Sequence, residues 1–144
     1  MGLIALVVAA IFFGAAIYIN WAEQPARLLM PPQQALIQWE PSYSRGFSMQ
    51  ATLAVLSGFC GIAAWLLSGL WWWLVGALLI LANWPFTMVV IMPVNRRLIA
   101  IAKAVQADEA ETLGLLRRWG ELHGVRSMLS FLAVAAYLIA ALSS

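Results

Sequence analysis

Charge is absent from most of this sequence. The eight Lys and Arg, six Asp and Glu, and single His residues all lie between Glu23 and Arg45 or between Arg96 and Arg126. Residues 1–22, 46–95 and 127–144 carry none of these side chains, and only 10% of the chain is charged. A soluble domain has about 25% charged residues, spread over its exposed faces. The composition therefore excludes a soluble fold and indicates one integral membrane domain over residues 1–144.

Cysteine and histidine each occur once. Cys60 alone cannot form a disulfide within the chain. His123 alone excludes the common multi-histidine metal sites and the paired Glu-x-x-His motifs of four-helix di-iron proteins. The sequence also has no Cys-x-x-Cys-His haem-attachment motif, glycine-rich phosphate loop or Gly-x-Ser-x-Gly elbow. We therefore expect no metal and no cofactor of its own, and any haem or quinone would have to come from a partner.

Four apolar runs are long enough to cross a membrane. A transmembrane helix needs about 20 apolar residues. The sequence predicts four spans, at residues 2–20, 47–68, 71–93 and 127–143. Spans two and three are joined by the short, uncharged Ser68–Gly69–Leu70, which is typical of a tight turn. The fold class that follows is all-α, an integral membrane four-helix bundle.

Prolines and helix formers set the expected helix limits. The first connection, residues 21–46, should be broken into short pieces by its prolines, which are Pro25, Pro31, Pro32 and Pro41. Pro41 suits the first turn of a helix, so helix 2 is expected to begin there, ahead of the membrane. Helix 4 is expected to begin near Thr112. Helices 2, 3 and 4 would then extend beyond the membrane on the side of the charged connections.

The basic residues predict the orientation. Both charged connections lie on one side of the membrane and hold all eight Lys and Arg, whereas the opposite side holds none. By the positive-inside rule this side is cytoplasmic and both termini are non-cytoplasmic. We expect a multi-pass protein of the cell inner (cytoplasmic) membrane. Its basic residues should contact membrane lipids, with no role in binding nucleic acid.

Polar side chains recur on one face of each helix. Steps of three and four residues connect one series on each of three helices: Tyr43, Phe47, Gln50, Ala54, Ser57, Gly61, Ala64 and Ser68 on helix 2; Trp119, His123, Arg126, Ser130, Ala133 and Tyr137 on helix 4; and Leu6, Ala9, Phe13, Ala16, Asn20 and Glu23 on helix 1. Each series is polar or aromatic near the cytoplasm and mostly small further away. The pattern predicts a polar vestibule at the cytoplasmic leaflet, lined by Asn20, Glu23, Tyr43, Gln50, Asn95, Trp119, His123 and Arg126. Periodicity alone does not place Asn95, because Pro85 should kink helix 3.

His123 and Arg126 allow two interpretations. As a catalytic pair, the imidazole would remove an acidic C–H or O–H proton and the guanidinium would hold the resulting oxyanion. Alternatively, both residues simply mark the membrane interface and bond loop carbonyls. Glu23 and Arg27 are expected to form an ion pair. Trp39 is expected to be an interfacial anchor, whereas Trp119 suits either an anchor or a ligand platform.

At these residues the chain resembles the anthrone-oxygenase-like family of small four-span membrane proteins. The matching segments are NWAEQPARL (20–28), PSYSRGFSMQATLA (41–54), NWPFTMVVIMPVNRRL (83–98) and LLRRWGELHGVRSML (115–129). Fungal members are described as oxidising anthrones to anthraquinones with molecular oxygen, without a dedicated metal or flavin. The resemblance implies that His123 is the base, that Trp119, Tyr43 and Arg126 hold and polarise the ring system, and that Asn95 is a second polar contact.

Three functions therefore compete. The first is a cofactor-independent oxygenase acting on a hydrophobic aromatic small molecule, with an anthrone- or phenol-like ring system. The second is a non-catalytic accessory subunit, or a lipid- or quinone-binding protein, in a homo-oligomer or a larger membrane complex. The third, a transporter, ranks last because the bundle has an almost apolar outer half that leaves little room for a polar path.

Overall fold

The structure, a computed structural model, describes residues 1–104 and 108–143. They form four long helices, which are α1 (Gly2–Arg27), α2 (Pro32–Ser68), α3 (Trp71–Ala102) and α4 (Glu109–Leu142). Each helix is long and apolar enough to cross a membrane, and no strand occurs in this part of the chain. The predicted all-α fold with four membrane-spanning helices is confirmed, and the chain is a multi-pass membrane protein.

The first connection is much shorter than predicted. The predicted break occurs only at residues 28–31, just before Pro32. Pro25 breaks no helix, because α1 continues to Arg27 through a π-helical segment, Ile19–Glu23. α2 then begins at Pro32 and not at Pro41. Pro32 occupies the first turn, where a missing N–H costs nothing. Pro41 lies inside the helix, and Ile37, whose carbonyl loses its usual partner there, is on the exposed surface.

α3 is interrupted twice along its length. Its regular part ends at Leu81, a short piece follows at Asn83–Phe86, and a second π-helical segment spans Thr87–Ile91. The Asn83 side chain donates to the Ile80 carbonyl oxygen over 3.0 Å, on the same helix and close to Pro85. The regular helix resumes at Met92–Ala102. The regular helix is therefore interrupted around Pro85, and a wider turn follows at Thr87–Ile91.

The remaining limits agree closely with the sequence. α2 ends at Ser68, and the next residue, Gly69, has a positive φ of 71° that only glycine adopts easily. α4 begins three residues before the predicted Thr112, because the Asp108 carboxylate caps it by accepting from the N–H groups of Ala110 and Glu111. Thr112 therefore lies in the first turn of one continuous helix.

Two clusters of buried side chains divide the bundle along its length. The alanine-rich half is built from Ala5, Ala9, Phe12, Ala16, Ala54, Ala64, Trp73, Ala77, Ile80, Ala133, Tyr137 and Ala140. The aromatic half, at the end of the basic connections, contains Ala35, Leu36, Trp39, Ile91, Leu98, Ile101, Leu116, Trp119 and Leu122. Small residues allow close helix contact in the first half. The second half is built from larger side chains, and the polar residues gather beside it.

Candidate functional site

A cavity opens between α2, α3 and α4, next to the aromatic half. We call it the His123 cavity, and it is narrow, with room for about one water molecule between its lining atoms. Its lining residues are Ile19, Ser42, Tyr43, Gly46, Phe47, Gln50, Thr87, Ile91, Asn95, Trp119, His123 and Arg126. Six of the eight residues predicted for the vestibule are among them. Asn20 and Glu23 are not, although both lie on the neighbouring turn of α1.

α4 supplies the central part of the lining. Trp119, His123 and Arg126 are separated by four and three residues, so they project from one face of the helix. All three are almost completely buried, with 4%, 2% and 8% of their surfaces exposed. The predicted α4 series is confirmed as buried along its whole length, through Ser130 and Ala133 to Tyr137.

α3 supplies Thr87 and Asn95, and its π-helical segment explains why both reach the cavity. Eight residues separate them, which in a regular helix would rotate Asn95 by about 80° away from Thr87. The wide turn at Thr87–Ile91 absorbs about one residue of that spacing, so the two side chains return to the same face. Asn95 is completely buried there. Periodicity did not place Asn95 because it assumes a constant number of residues per turn.

α2 forms the wall through which the cavity opens. Tyr43 and Gln50 are seven residues apart and therefore face the same way. Between them lie Gly46 and Phe47, which are partly exposed. A side chain built at Gly46 would meet no atom within 4 Å, so this position leaves a gap in the wall. Tyr43 and Phe47 flank the gap.

His123 is held from the side of α1. Its Nδ1 lies 2.8 Å from Oδ1 of Asn20. The same oxygen accepts a hydrogen bond of 2.8 Å from the Ser127 hydroxyl, and the Asn20 amide nitrogen donates to the Gly120 carbonyl oxygen over 2.9 Å. Asn20 thus contacts Nδ1 of His123 from α1 and is not itself part of the cavity lining.

Aromatic rings form a continuous stack beside the histidine. Tyr43 stacks on Trp39 with ring centroids 4.9 Å apart and an angle of 4°. Trp39 meets Trp119 edge-on at 6.0 Å, and Trp119 stacks on His123 at 5.1 Å. The expectation that Trp39 is an interfacial anchor is wrong, because it is completely buried in this stack. Rigid rings on one wall suit a planar ligand.

Glu23 belongs to a separate network that fixes the start of α2 against α1. Its carboxylate accepts from Arg27 at 2.6 Å, from Gln38 at 3.1 Å and from Ser42. The predicted Glu23–Arg27 ion pair is therefore confirmed. Arg27 in turn lies over the Trp119 ring, 5.5 Å from its centroid, where a cation is attracted by the ring face. Glu23 therefore affects the aromatic wall only through Arg27.

Arg126 brings a buried positive charge to the cavity. Its guanidinium lies 5.5 Å from the Phe12 ring centroid, and none of the cavity-lining residues is acidic. In the described ranges Arg126 pairs with no carboxylate, and its buried Nε has no hydrogen-bond partner. A buried charge without a partner is costly, so it usually indicates a bound group of opposite charge or high polarity.

Other buried polar atoms around the cavity also lack a hydrogen-bond partner. Within residues 1–104 and 108–143, unpartnered donors occur at Gln50 Nε2, Asn95 Nδ2 and Trp119 Nε1, and unpartnered oxygens at Thr87 Oγ1 and Asn95 Oδ1. Native structures leave few buried polar groups unsatisfied. Their concentration here indicates a place for a ligand with oxygen acceptors. The same ranges contain no cluster of three His, Cys, Asp or Glu residues suited to a metal ion.

Sequence reasoning missed several members of the site. Thr87 and Ile91 depend on the π-helical segment, which leaves no mark in the periodicity. Ser127 lies four residues after His123, so helical spacing alone places it on the same face. Trp39 is missed because interfacial aromatic residues are common membrane anchors, and that interpretation is favoured for it.

Comparison with known proteins agrees with this geometry. The family model for anthrone oxygenase matches residues 39–136, which is more than half of the chain and includes all the cavity residues except Ile19. No curated protein and no solved structure matches the chain. The chain belongs to the anthrone oxygenase family.

Proposed function

We propose that this protein is a cofactor-independent oxygenase that binds a hydrophobic aromatic substrate, anthrone- or phenol-like, in the His123 cavity. The observation that carries the proposal is the placement of a buried imidazole and a buried, unpaired guanidinium in one cavity with an aromatic wall. The family match supports the same class of activity. Following the charge pattern, we place the cavity at the cytoplasmic leaflet of the inner membrane.

The chemistry begins with removal of a proton by His123. The CH₂ group of anthrone, opposite the carbonyl in the central ring, is acidic, since the resulting negative charge spreads through the flanking rings onto the carbonyl oxygen. Arg126 is placed to stabilise that oxygen, and a low-dielectric site strengthens this interaction. The carbanion is oxidised by dioxygen, and the CH₂ group becomes C=O with water as the second product. The equation balances as R₂CH₂ + O₂ → R₂C=O + H₂O, with no other reductant required.

The width of the cavity decides how a substrate is accommodated. In this structure the space between the lining atoms has room for only about one water molecule. A three-ring substrate therefore requires Tyr43 and Phe47 to move outward. Both are partly exposed and lie on either side of the gap at Gly46, and for Tyr43 the movement would break its stacking on Trp39.

Oxygen consumption by the purified protein in detergent or nanodiscs, with anthrone as substrate, tests the proposal. The rate should exceed that of the protein-free solution, and His123→Ala should remove the excess. Val125→Ala is a suitable control, because Val125 lies on α4 but 42% of its surface is exposed. Full turnover by His123→Ala would exclude this mechanism. The absence of turnover by the unaltered protein would exclude the activity for this substrate.

Quinone binding without turnover is the second candidate. The unpartnered donors at Gln50, Asn95, Trp119 and Arg126 suit the carbonyl oxygens of a quinone as well as those of an anthrone. An accessory protein of this kind would bind anthraquinone or a short-chain quinone and quench its tryptophan fluorescence, yet consume no oxygen. The two assays together separate the candidates.

A further inference from the structure

The orientation of the Asn20 amide can be determined from its partners. Its Nδ2 lies 2.9 Å from the Gly120 carbonyl oxygen, which can only accept a hydrogen bond. The amide nitrogen must therefore face Gly120, and Oδ1 must face His123 and Ser127. The reverse orientation would place two carbonyl oxygens against each other. The three partners together thus fix which end of the amide is the nitrogen.

This orientation also fixes the proton on His123. Oδ1 of Asn20 accepts hydrogen bonds and cannot donate, so the nitrogen 2.8 Å away, Nδ1, must carry the hydrogen. A neutral imidazole has one N–H, and the other nitrogen keeps a lone pair. Nε2 is on the opposite edge of the ring and has no hydrogen-bond partner among the described residues. The nitrogen left for the cavity is therefore the basic one.

The fold of α1 brings Asn20 to this place. The π-helical segment Ile19–Glu23 widens the turn that carries it. Gln24, four residues later, makes the equivalent bond to the Leu116 carbonyl oxygen over 2.7 Å. Asn20 and Gln24 therefore bond carbonyls that are four residues apart on the antiparallel α4. The approach is close, because a side chain at Gly120 would collide with Gln24.

We propose that Asn20 is a positioning residue that holds His123 in the Nδ1–H tautomer and so makes Nε2 the acceptor in the cavity. Asn20 lies outside residues 39–136, the part that the family model matches. The catalytic meaning of this assignment rests on the proposed function, but the tautomer itself does not. A histidine without such a partner exchanges its proton between the two nitrogens, so only part of the protein would present a basic Nε2.

The single histidine allows a direct test. With ¹⁵N-labelled histidine, the full-length protein gives one pair of imidazole signals, and protonated and unprotonated nitrogens resonate in separate regions. At a mildly alkaline pH, where the ring is neutral, we expect a protonated Nδ1 and an unprotonated Nε2. Asn20→Ala should convert this to a mixture of tautomers or to the Nε2–H form. A protonated Nε2 in the unaltered protein, or an unchanged pattern in Asn20→Ala, would overturn the assignment.

Two further variants separate positioning from simple stabilisation. Gln24→Ala removes the neighbouring amide–carbonyl bond and the hydrogen bond that Gln24 accepts from Arg27. Neither bond includes His123, so the variant should destabilise the protein but leave the tautomer unchanged. Asn20→Asp keeps an acceptor opposite Nδ1 and should retain the Nδ1–H form. A changed tautomer in Gln24→Ala would show that any weakening of the α1–α4 contact is sufficient, and would contradict a specific role for Asn20.

Turnover then separates this inference from the proposed function. If the protein oxidises anthrone, Asn20→Ala should lower kcat by about 10- to 100-fold with KM little changed, and Asn20→Asp should restore part of the loss. Normal kcat in Asn20→Ala, despite a disturbed tautomer, would contradict the positioning role. If the unaltered protein has the expected tautomer but no turnover, the proposed oxygenase activity fails while the tautomer assignment stands.

Discussion

The alanine-rich half and the aromatic half of the bundle satisfy their polar groups to different degrees. In the alanine-rich half, the Ser57 hydroxyl donates to the Ala5 carbonyl oxygen at 2.9 Å. The Tyr137 hydroxyl donates to the Ser57 carbonyl oxygen at 3.1 Å. Beside the second, buried polar atoms without partners occur at Gln50, Asn95, Trp119 and Arg126 within the described ranges. One chain therefore contains a closed helix interface and an open polar site.

This difference shows how the two halves divide structure and function. Close contact between small residues stabilises helix pairs in lipid, where no hydrophobic effect drives the helices together. Unpartnered polar groups reduce stability, and proteins usually retain them where a ligand supplies the missing bonds. We therefore expect substitutions in the alanine-rich half to change stability, and substitutions in the His123 cavity to change binding and turnover.

The largest effect is expected from Arg126→Met, which removes the unpaired charge but keeps a long side chain. Oxygen consumption should fall by about 10²- to 10³-fold, because a developing oxyanion loses its stabilising partner. The free energy of unfolding should stay the same or rise, since a buried charge without a counterion is lost. Unfolding in mixed SDS micelles measures the second quantity. A strongly destabilised variant would show that Arg126 is structural, as the simple interface interpretation holds.

Tyr137→Ala should have the opposite effect to Arg126→Met, because it should lower the stability of the bundle and not act directly on turnover. Its ring packs against Trp73 at 5.7 Å and is completely buried in the alanine-rich half. We expect the free energy of unfolding to fall by about 3–5 kcal/mol, as for other large buried aromatics. Tyr137→Phe removes only the bond to Ser57 and should cost about 0.6 kcal/mol. A variant that stays folded but loses turnover while keeping its stability would contradict the division between the halves.

Much of the alanine-rich half could be predicted from the sequence, because its helices there are regular. Ala54, Ser57, Gly61 and Ala64 follow one face of α2 at steps of three and four, and all are buried. The turn at Gly69 could be predicted from a glycine between two apolar runs. Regular helices obey a constant period, so a periodic pattern is enough to assign their buried faces.

The site was harder to predict because irregular helices build it. Asn20 was placed in the vestibule, whereas the π-helical segment directs it onto Nδ1 of His123 and onto Gly120. Asn95 reaches the cavity through the second π-helical segment. Both segments are followed two residues later by a proline, at Pro25 and Pro93. Proline usually ends or bends a helix, but here the helix continues through a wide turn that precedes the proline.

The smallest effects come from a matched pair of glycines, one in each half. A side chain at Gly76 would collide with the Tyr137 ring, whereas one at Gly46 meets open space. Gly76→Ala should therefore lower the free energy of unfolding by about 1–3 kcal/mol through overpacking. Gly46→Ala should change it by less than about 0.5 kcal/mol.

Gly46 also provides the closest test of how a substrate enters. Gly46→Leu adds bulk at the gap between Tyr43 and Phe47, where the structure leaves room for it. We expect stability close to that of Gly46→Ala, but a KM for anthrone raised by about 10-fold, since roughly 1.4 kcal/mol of binding is lost for each factor of ten. Steady-state oxygen consumption at several anthrone concentrations measures the change. An unaltered KM in this variant would place the opening of the cavity elsewhere, and the wall formed by α2 would then be as closed as the alanine-rich half.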